Sequence, residues 1–195
     1  PPTVDPVAIL ACYDTNKPQI KNLAPLRSSD RRKIADQIIE DYKVFIPSTG
    51  PSPNSSATSS TPSPNLTSIR NSILPENSLS GRFTTTAGPN LKEVQGTVYV
   101  GTHPGSEERI LWFKFEHGPG ADRRLYPTVY TLWHNPNLVP LLYTVEFVMS
   151  KLRGGADLMT PGLANGPPFP GRAVKGAVAA VATVDRHTVP LFVGV

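Results

Sequence analysis

Thr144-Val-Glu-Phe-Val-Met-Ser-Lys-Leu-Arg153, followed by Gly154-Gly-Ala-Asp-Leu-Met-Thr-Pro-Gly-Leu163, is the stretch whose reading decides the fold. Val145, Val148, Met149 and Leu152 recur at i, i+3, i+4 and i+7, the spacing of one helix face. Glu146 sits in the first turn and Lys151 and Arg153 in the last, so the charges suit the helix dipole at both ends. Gly154 supplies the stop. The pattern predicts a helix that starts at Thr144 and leaves through a glycine pair flanked by cations. After Gly155 small residues, turns and Val-rich runs dominate, and Ala173–Val184 and Thr188–Val195 read as strands. The last run is almost uniformly apolar and would need neighbours on its edge and cover on its face, which reads as a chain that stops in mid-domain.

Upstream, Pro127 opens a short helix with Val129, Leu132 and Trp133 as its apolar stripe, and Pro136 stops it. Before it come two β-branched and aromatic runs, Gly96–Thr102 and Arg109–Glu116, around the polar turn His103-Pro-Gly-Ser-Glu-Glu108. This is a hairpin signature. Alternation puts Leu111, Phe113 and Phe115 on one face and Lys114 and Glu116 on the other, so one side is expected to be buried. Farther back, Ser28 and Ser29 are good N-cap residues, and Ala35, Ile38, Ile39 and Tyr42 form a helix face. The prediction is a helix over 29–45, ended by Pro47. Residues 47–65 are almost wholly Pro, Ser, Thr, Asn and Gly, and are expected to be a disordered insertion within a domain. Residues 1–16 show no clear period beyond a short strand through Val7–Tyr13.

The 195 residues suit one or two domains, and the net charge of +4, from 19 basic against 15 acidic side chains, matters only if it is clustered. A lone Cys12 excludes a disulfide framework or a multi-cysteine metal site and fits the cytosol. No apolar run approaches the roughly 18 residues of a membrane span. The four histidines lack ligand spacing; His103 and His117 flank one strand and are expected at the surface. A G-x-S-x-G elbow and phosphate-cradling glycine patterns are missing, so neither an enzyme nor a bound cofactor or metal is expected. What remains is basic: Arg31, Arg32 and Lys33 in a first helical turn, Arg123 and Arg124, and Lys151 with Arg153. Cations at a helix N-terminus oppose its dipole, which points to a partner such as phosphate for Arg31–Lys33.

Arg124-Leu-Tyr-Pro-Thr-Val-Tyr-Thr-Leu-Trp133 and Lys151–Leu163, in this order and at this spacing, resemble the eukaryotic translation initiation factor 2D (ligatin) family, whose fungal counterpart is translation machinery-associated protein 64. Ser28-Ser-Asp-Arg-Arg-Lys33 is similar to that family's first helix, and the likeness runs over residues 17–195 apart from the insertion. The Gly-Ala-Asp-Leu-Met-x-Pro-Gly pattern is shared more widely by PUA domains, and Tyr-Pro-Thr-Val-Tyr-Thr-Leu-Trp narrows it. The resemblance implies an α+β chain. A pre-PUA domain at 17–150, with helices on an antiparallel sheet and the insertion at 47–65, precedes a β-rich PUA pseudo-barrel at 151–195, incomplete on its C-terminal side; residues 1–16 are expected to be a disordered or atypical extension. It also implies a cytoplasmic RNA- and small-ribosomal-subunit-binding module of an initiation and recycling factor. GTP-independent tRNA delivery would belong to the full-length protein through further C-terminal domains. Gly154, Gly155, Ala156 and Asp157 would lie near RNA phosphate with Lys151 and Arg153 alongside, while Leu158, Met159 and Pro161 would pack the barrel. Tyr126, Pro127 and Trp133 would serve core or interdomain packing. The competing readings are a PUA-containing RNA-modification protein and a protein-interaction domain.

Overall fold

The structure, a computed structural model, describes residues 19–44, 64–85, 93–117, 124–186 and 189–195. The strand expected at Val7–Tyr13, Cys12, most of the 47–65 tract and Arg123 lie outside the described residues.

Ala35, Ile38 and Tyr42 are buried, as the first helical pattern requires. Helix α1 runs over Ser28–Asp41, with Arg27 rather than a serine at the N-cap position and no side-chain cap. It stops short of the expected residue 45 because Lys43 takes a left-handed φ of 49° just beyond Tyr42, a conformation that ends a helix. A second helix, α2 (Pro64–Ile73), corrects the expectation that the low-complexity tract extends through Asn65. It opens on Pro64, whose lack of an amide costs nothing in a first turn, and Leu66, Ile69 and Ile73 follow at helical spacing.

The helices face an antiparallel sheet of short and long strands: β1 (Gln19–Ile20), β2 (Ala24–Pro25), β3 (Leu79–Thr85), β4 (Val94–Gly101), β5 (Arg109–His117) and β6 (Tyr126–Pro127). Their order is β1-β3-β4-β5-β6, with β2 also on β3. The predicted hairpin is β4–β5. Its register pairs Tyr99 with Trp112 and Val100 with Ile110, leaving Leu111 as the extra residue of a bulge. A bulge reverses the side-chain alternation. Leu111 and Trp112 therefore both join the cluster on the helix side, while Ile110, Phe113 and Phe115 meet Phe83 and Val98 on the other. This corrects the expectation that Leu111, Phe113 and Phe115 share a single buried face; both faces carry a core.

The bulge also sets the path of the chain into the next helix. The Leu111 carbonyl accepts from the amide of Thr128 at 2.9 Å and from the Thr131 hydroxyl, and Thr128 Oγ1 donates to the Ile110 carbonyl at 2.7 Å. Thr128 is the N-cap of α3 (Val129–His134), while Pro127 belongs to β6 rather than opening the helix. With Thr131 pulled inward and fully buried, Trp133 turns out and is 47% exposed, so the expected stripe holds for Val129 and Leu132 only.

The remaining chain builds a second sheet from β7 (Leu141–Thr144), β8 (Ala179–Thr183) and β9 (Phe192–Gly194), with β7 parallel and β9 antiparallel to β8. Helix α4 (Glu146–Arg153) starts after Val145 because Thr144 still belongs to β7; Val145 is its N-cap and half exposed, whereas Met149 and Leu152 are buried against Val181. The mixed content makes the chain α+β. Val178 and Ala180 belong to the same core cluster as Trp112 and Tyr42, so the two sheets share one interior. Arg172 adds a polar clasp, donating to the carbonyls of Tyr42 and Leu138, each at 2.7 Å, and of Asn137 at 3.1 Å.

Arg31 shows how α1 and α2 are joined. Its Nη1 donates to Asn71 Oδ1 at 2.9 Å and to the Leu74 carbonyl at 2.8 Å, just past the C-terminal end of α2, where the dipole favours a cation. The local cost of a cation at the start of α1 is thus offset inside the fold. Asp36 and Arg70 add a bidentate pair at 2.6 and 2.8 Å. Arg31→Ala removes charged hydrogen bonds and orphans a buried carbonyl, so urea unfolding is expected to show a loss of about 2–3 kcal/mol. Arg32→Ala, at an exposed neighbour, is expected to stay within about 0.5 kcal/mol. Equal effects from the two variants would contradict the assignment.

Candidate nucleic-acid interface

Helix α4 ends in the manner its sequence predicts. The amide of Gly154 donates to the carbonyls of Ser150 and Lys151 at 3.3 and 3.0 Å, that of Gly155 to Leu152 at 2.9 Å and that of Ala156 to Lys151 at 3.1 Å. Gly155 takes a φ of 87°, which glycine adopts without strain. These amides therefore close the helix instead of forming an open nest for an anion. What the turn offers a polyanion is access: Gly154, Gly155, Ala156 and Asp157 are all exposed, with no bulky side chain to hold a backbone off.

Lys151 and Arg153 are exposed in the last turn. Arg153 Nη1 pairs with Glu146 Oε1 at 2.8 Å, two turns back, with both side chains more than half exposed, so the pair is weak and readily exchanged for another anion. Lys151 Nζ lies 5.3 Å from the centre of the Phe147 ring, and Phe147 is 71% exposed. Leu158 packs against the Met149 cluster as expected. Met159 is 71% exposed and Pro161 is exposed, so the expected barrel packing does not extend to them: the 3-10 turn at Thr160–Gly162 carries that segment along the surface.

The basic triplet of α1 is divided. Arg32 and Lys33 are exposed, whereas Arg31 is 5% exposed and bound to the end of α2. Arg124 is exposed and its Nη1 donates to the Gly176 carbonyl at 2.7 Å, reaching from the first sheet's side to a turn before β8. Arg172, the clasp between the sheets, carries no signal in the sequence: its neighbours Gly171 and Ala173 have no period, and its three acceptors are backbone carbonyls far away in the chain.

His103 differs from the surface position expected of it, whereas His134 is exposed. His103 is buried, with Nε2 at 2.7 Å from the Ser72 carbonyl, and it stacks on His134 of α3 with ring centres 3.9 Å apart. Loss of hydration, then repulsion from His103, holds the His134 imidazole below its usual range. His103 thus helps to seat α3 against the turn after β4. Among the described residues no group of three or more His, Cys, Asp or Glu side chains could hold a metal ion, and no helix is long and apolar enough to cross a membrane.

Comparison with known proteins gives these surfaces a context. A family model described as eIF2D, PUA domain, matches residues 139–195. It begins just ahead of β7, whose pairing with β8 ties Leu141–Thr144 to the later strands. Human eukaryotic translation initiation factor 2D is 36% identical over 126 residues, which cover 57% of this chain and 21% of the human protein. The bovine protein of that name is 49% identical over 74 residues, 38% of this chain and 13% of the bovine one. Translation machinery-associated protein 64 of Saccharomyces cerevisiae is 33% identical over 101 residues, 51% of this chain and 16% of the yeast protein. The chain spans only between 13% and 21% of the length of these curated relatives. Residues 139–195 thus match a PUA domain of the eIF2D type, and the chain is similar over part of its length to eukaryotic translation initiation factor 2D and to translation machinery-associated protein 64.

Proposed function

We propose that this chain is an RNA-binding module that docks a cytoplasmic translation initiation and recycling factor on the small ribosomal subunit, acting by binding rather than by turnover. The observation that carries this reading is the 2D-type PUA domain, with the exposed Lys151 and Arg153 at the exit of α4 beside the open Gly154–Asp157 turn. Phosphate contacts from such cations supply affinity and position without reading sequence. The unit ahead of it, with α1, α2 and α3 on an antiparallel sheet, serves as the pre-PUA domain and adds Arg32 and Lys33 on its surface. Delivery of tRNA and recycling of subunits belong, on this reading, to the whole factor, of which the relatives' greater length leaves room for further domains.

A second reading, docking to a ribosomal protein, draws on the exposed Val145, Phe147 and Met159 around α4. Co-sedimentation with purified small subunits across a salt series separates the two. RNA docking predicts that binding weakens steeply as salt rises and that Lys151→Glu with Arg153→Glu weakens it about tenfold or more. Binding that is insensitive to salt and to these changes, yet lost on Phe147→Ser, would assign the surface to a protein. Absence of binding by a folded chain would overturn ribosome docking altogether.

A further inference from the structure

A second concentration of positive charge lies away from α4. Between the end of α1 and the turns that precede β8 is an open cleft of about 800 Å3. Lys43 and Arg124 line it from the first unit, and Arg172 and Lys175 from the PUA domain; among the described residues that line it, Asp41 is the one carboxylate. Among the described residues, four cations thus face one anion. They come from three separate stretches of the sequence, around Lys43, Arg124 and Arg172–Lys175, which only the fold brings together.

The fold holds the two arginines by hydrogen bonds and sets the backbone that carries the two lysines. The three acceptors of the Arg172 guanidinium are neutral carbonyls, so its bonds hold it in position without cancelling its charge. Arg124 grips the Gly176 carbonyl, and Gly176, at a φ of 79°, forms the turn that carries Lys175. Lys43 is turned out of the α1 axis by its left-handed backbone. Among the described residues no carboxylate forms an ion pair with Lys43, Arg172 or Lys175. Glu40 is exposed on α1 but does not line the cleft. Among the described residues the lining offers no exposed aromatic face for a base, since Tyr42 is buried against Trp112.

We propose that this cleft binds the sugar–phosphate backbone of RNA, without sequence preference, as a second contact site spanning the two units. The inference rests on the proposed RNA-binding function and adds a surface separate from the α4 exit. Fluorescence anisotropy with a labelled RNA hairpin, titrated at several salt concentrations, tests it in the full chain. Lys43→Gln with Lys175→Gln is expected to weaken binding about tenfold at about 150 mM salt and to lower the slope of log K against log salt by about 1.5–2, as for two lost phosphate contacts. Lys43→Arg with Lys175→Arg should retain binding, and Lys21→Gln with Arg82→Gln, an equal charge loss at exposed sites elsewhere, should change it less than about twofold. If the cleft pair behaves like that control while Lys151→Glu with Arg153→Glu abolishes binding, the cleft proposal fails and the RNA reading stands. If the unaltered chain binds no RNA, both fail. Binding of inorganic phosphate or ATP to the cleft more tightly than the hairpin would reassign it to a small anion and overturn the proposal.

Discussion

The bulge at Leu111 in the β4–β5 hairpin is the constraint on which the other elements depend. An extra residue in one strand costs a ladder position, but it sends Leu111 and Trp112 to the same side of the sheet. Trp112 becomes the fully buried centre of the core, its Nε1 donating to the Ile73 carbonyl at the end of α2 and its ring meeting Tyr42 of the α1 exit edge-on. The displaced Leu111 carbonyl receives Thr128 and Thr131 and so sets the start and the rotation of α3. One irregularity in one strand therefore places three helices.

Its influence reaches the second sheet. Leu138 and Val139, beyond α3, lie in the same cluster as Trp112, and Val178 and Ala180 of the PUA side complete it. Arg172 and Arg124 then cross the junction with hydrogen bonds to backbone carbonyls. A shared interior gives the junction a defined shape and brings scattered cations to one cleft. RNA binding through phosphates needs cations within reach of the backbone and no reactivity from them. The end of α4 presents exposed cations; at the junction Arg124 and Arg172 are held by hydrogen bonds to backbone carbonyls.

The helical patterns are legible because each relies on local spacing. Ala35, Ile38 and Tyr42 are buried in α1, and Met149 and Leu152 in α4, because period and burial coincide there. The hairpin is legible in outline from its β-branched and aromatic runs. Its bulge is not, since an extra residue leaves no mark in composition and only the partner strand defines it. The start of α2 is hidden by the Pro/Ser/Asn-rich tract that runs into it, although Leu66, Ile69 and Ile73 carry its period. For the candidate site, Lys151, Arg153 and the glycine turn can be named from the sequence because they are contiguous. Arg31 misleads for a physical reason: a cation at one helix's start looks unpaired until the end of another helix is brought to it. Arg172 and Lys175 gain meaning only when two distant turns close on the exit of α1.

Hydrogen exchange of Trp112→Phe against the unaltered chain tests the central claim, that one core joins both sheets. The substitution keeps a ring but removes the donor to Ile73, leaving a buried carbonyl unpaired at a cost of about 1–3 kcal/mol. If the interior is shared, protection falls together in β5, in α3 and in β8 at Ala180–Ala182, in one cooperative opening. Loss of protection confined to the first sheet and its helices, with β8 unchanged, would show that the two units stand independently and would contradict the account.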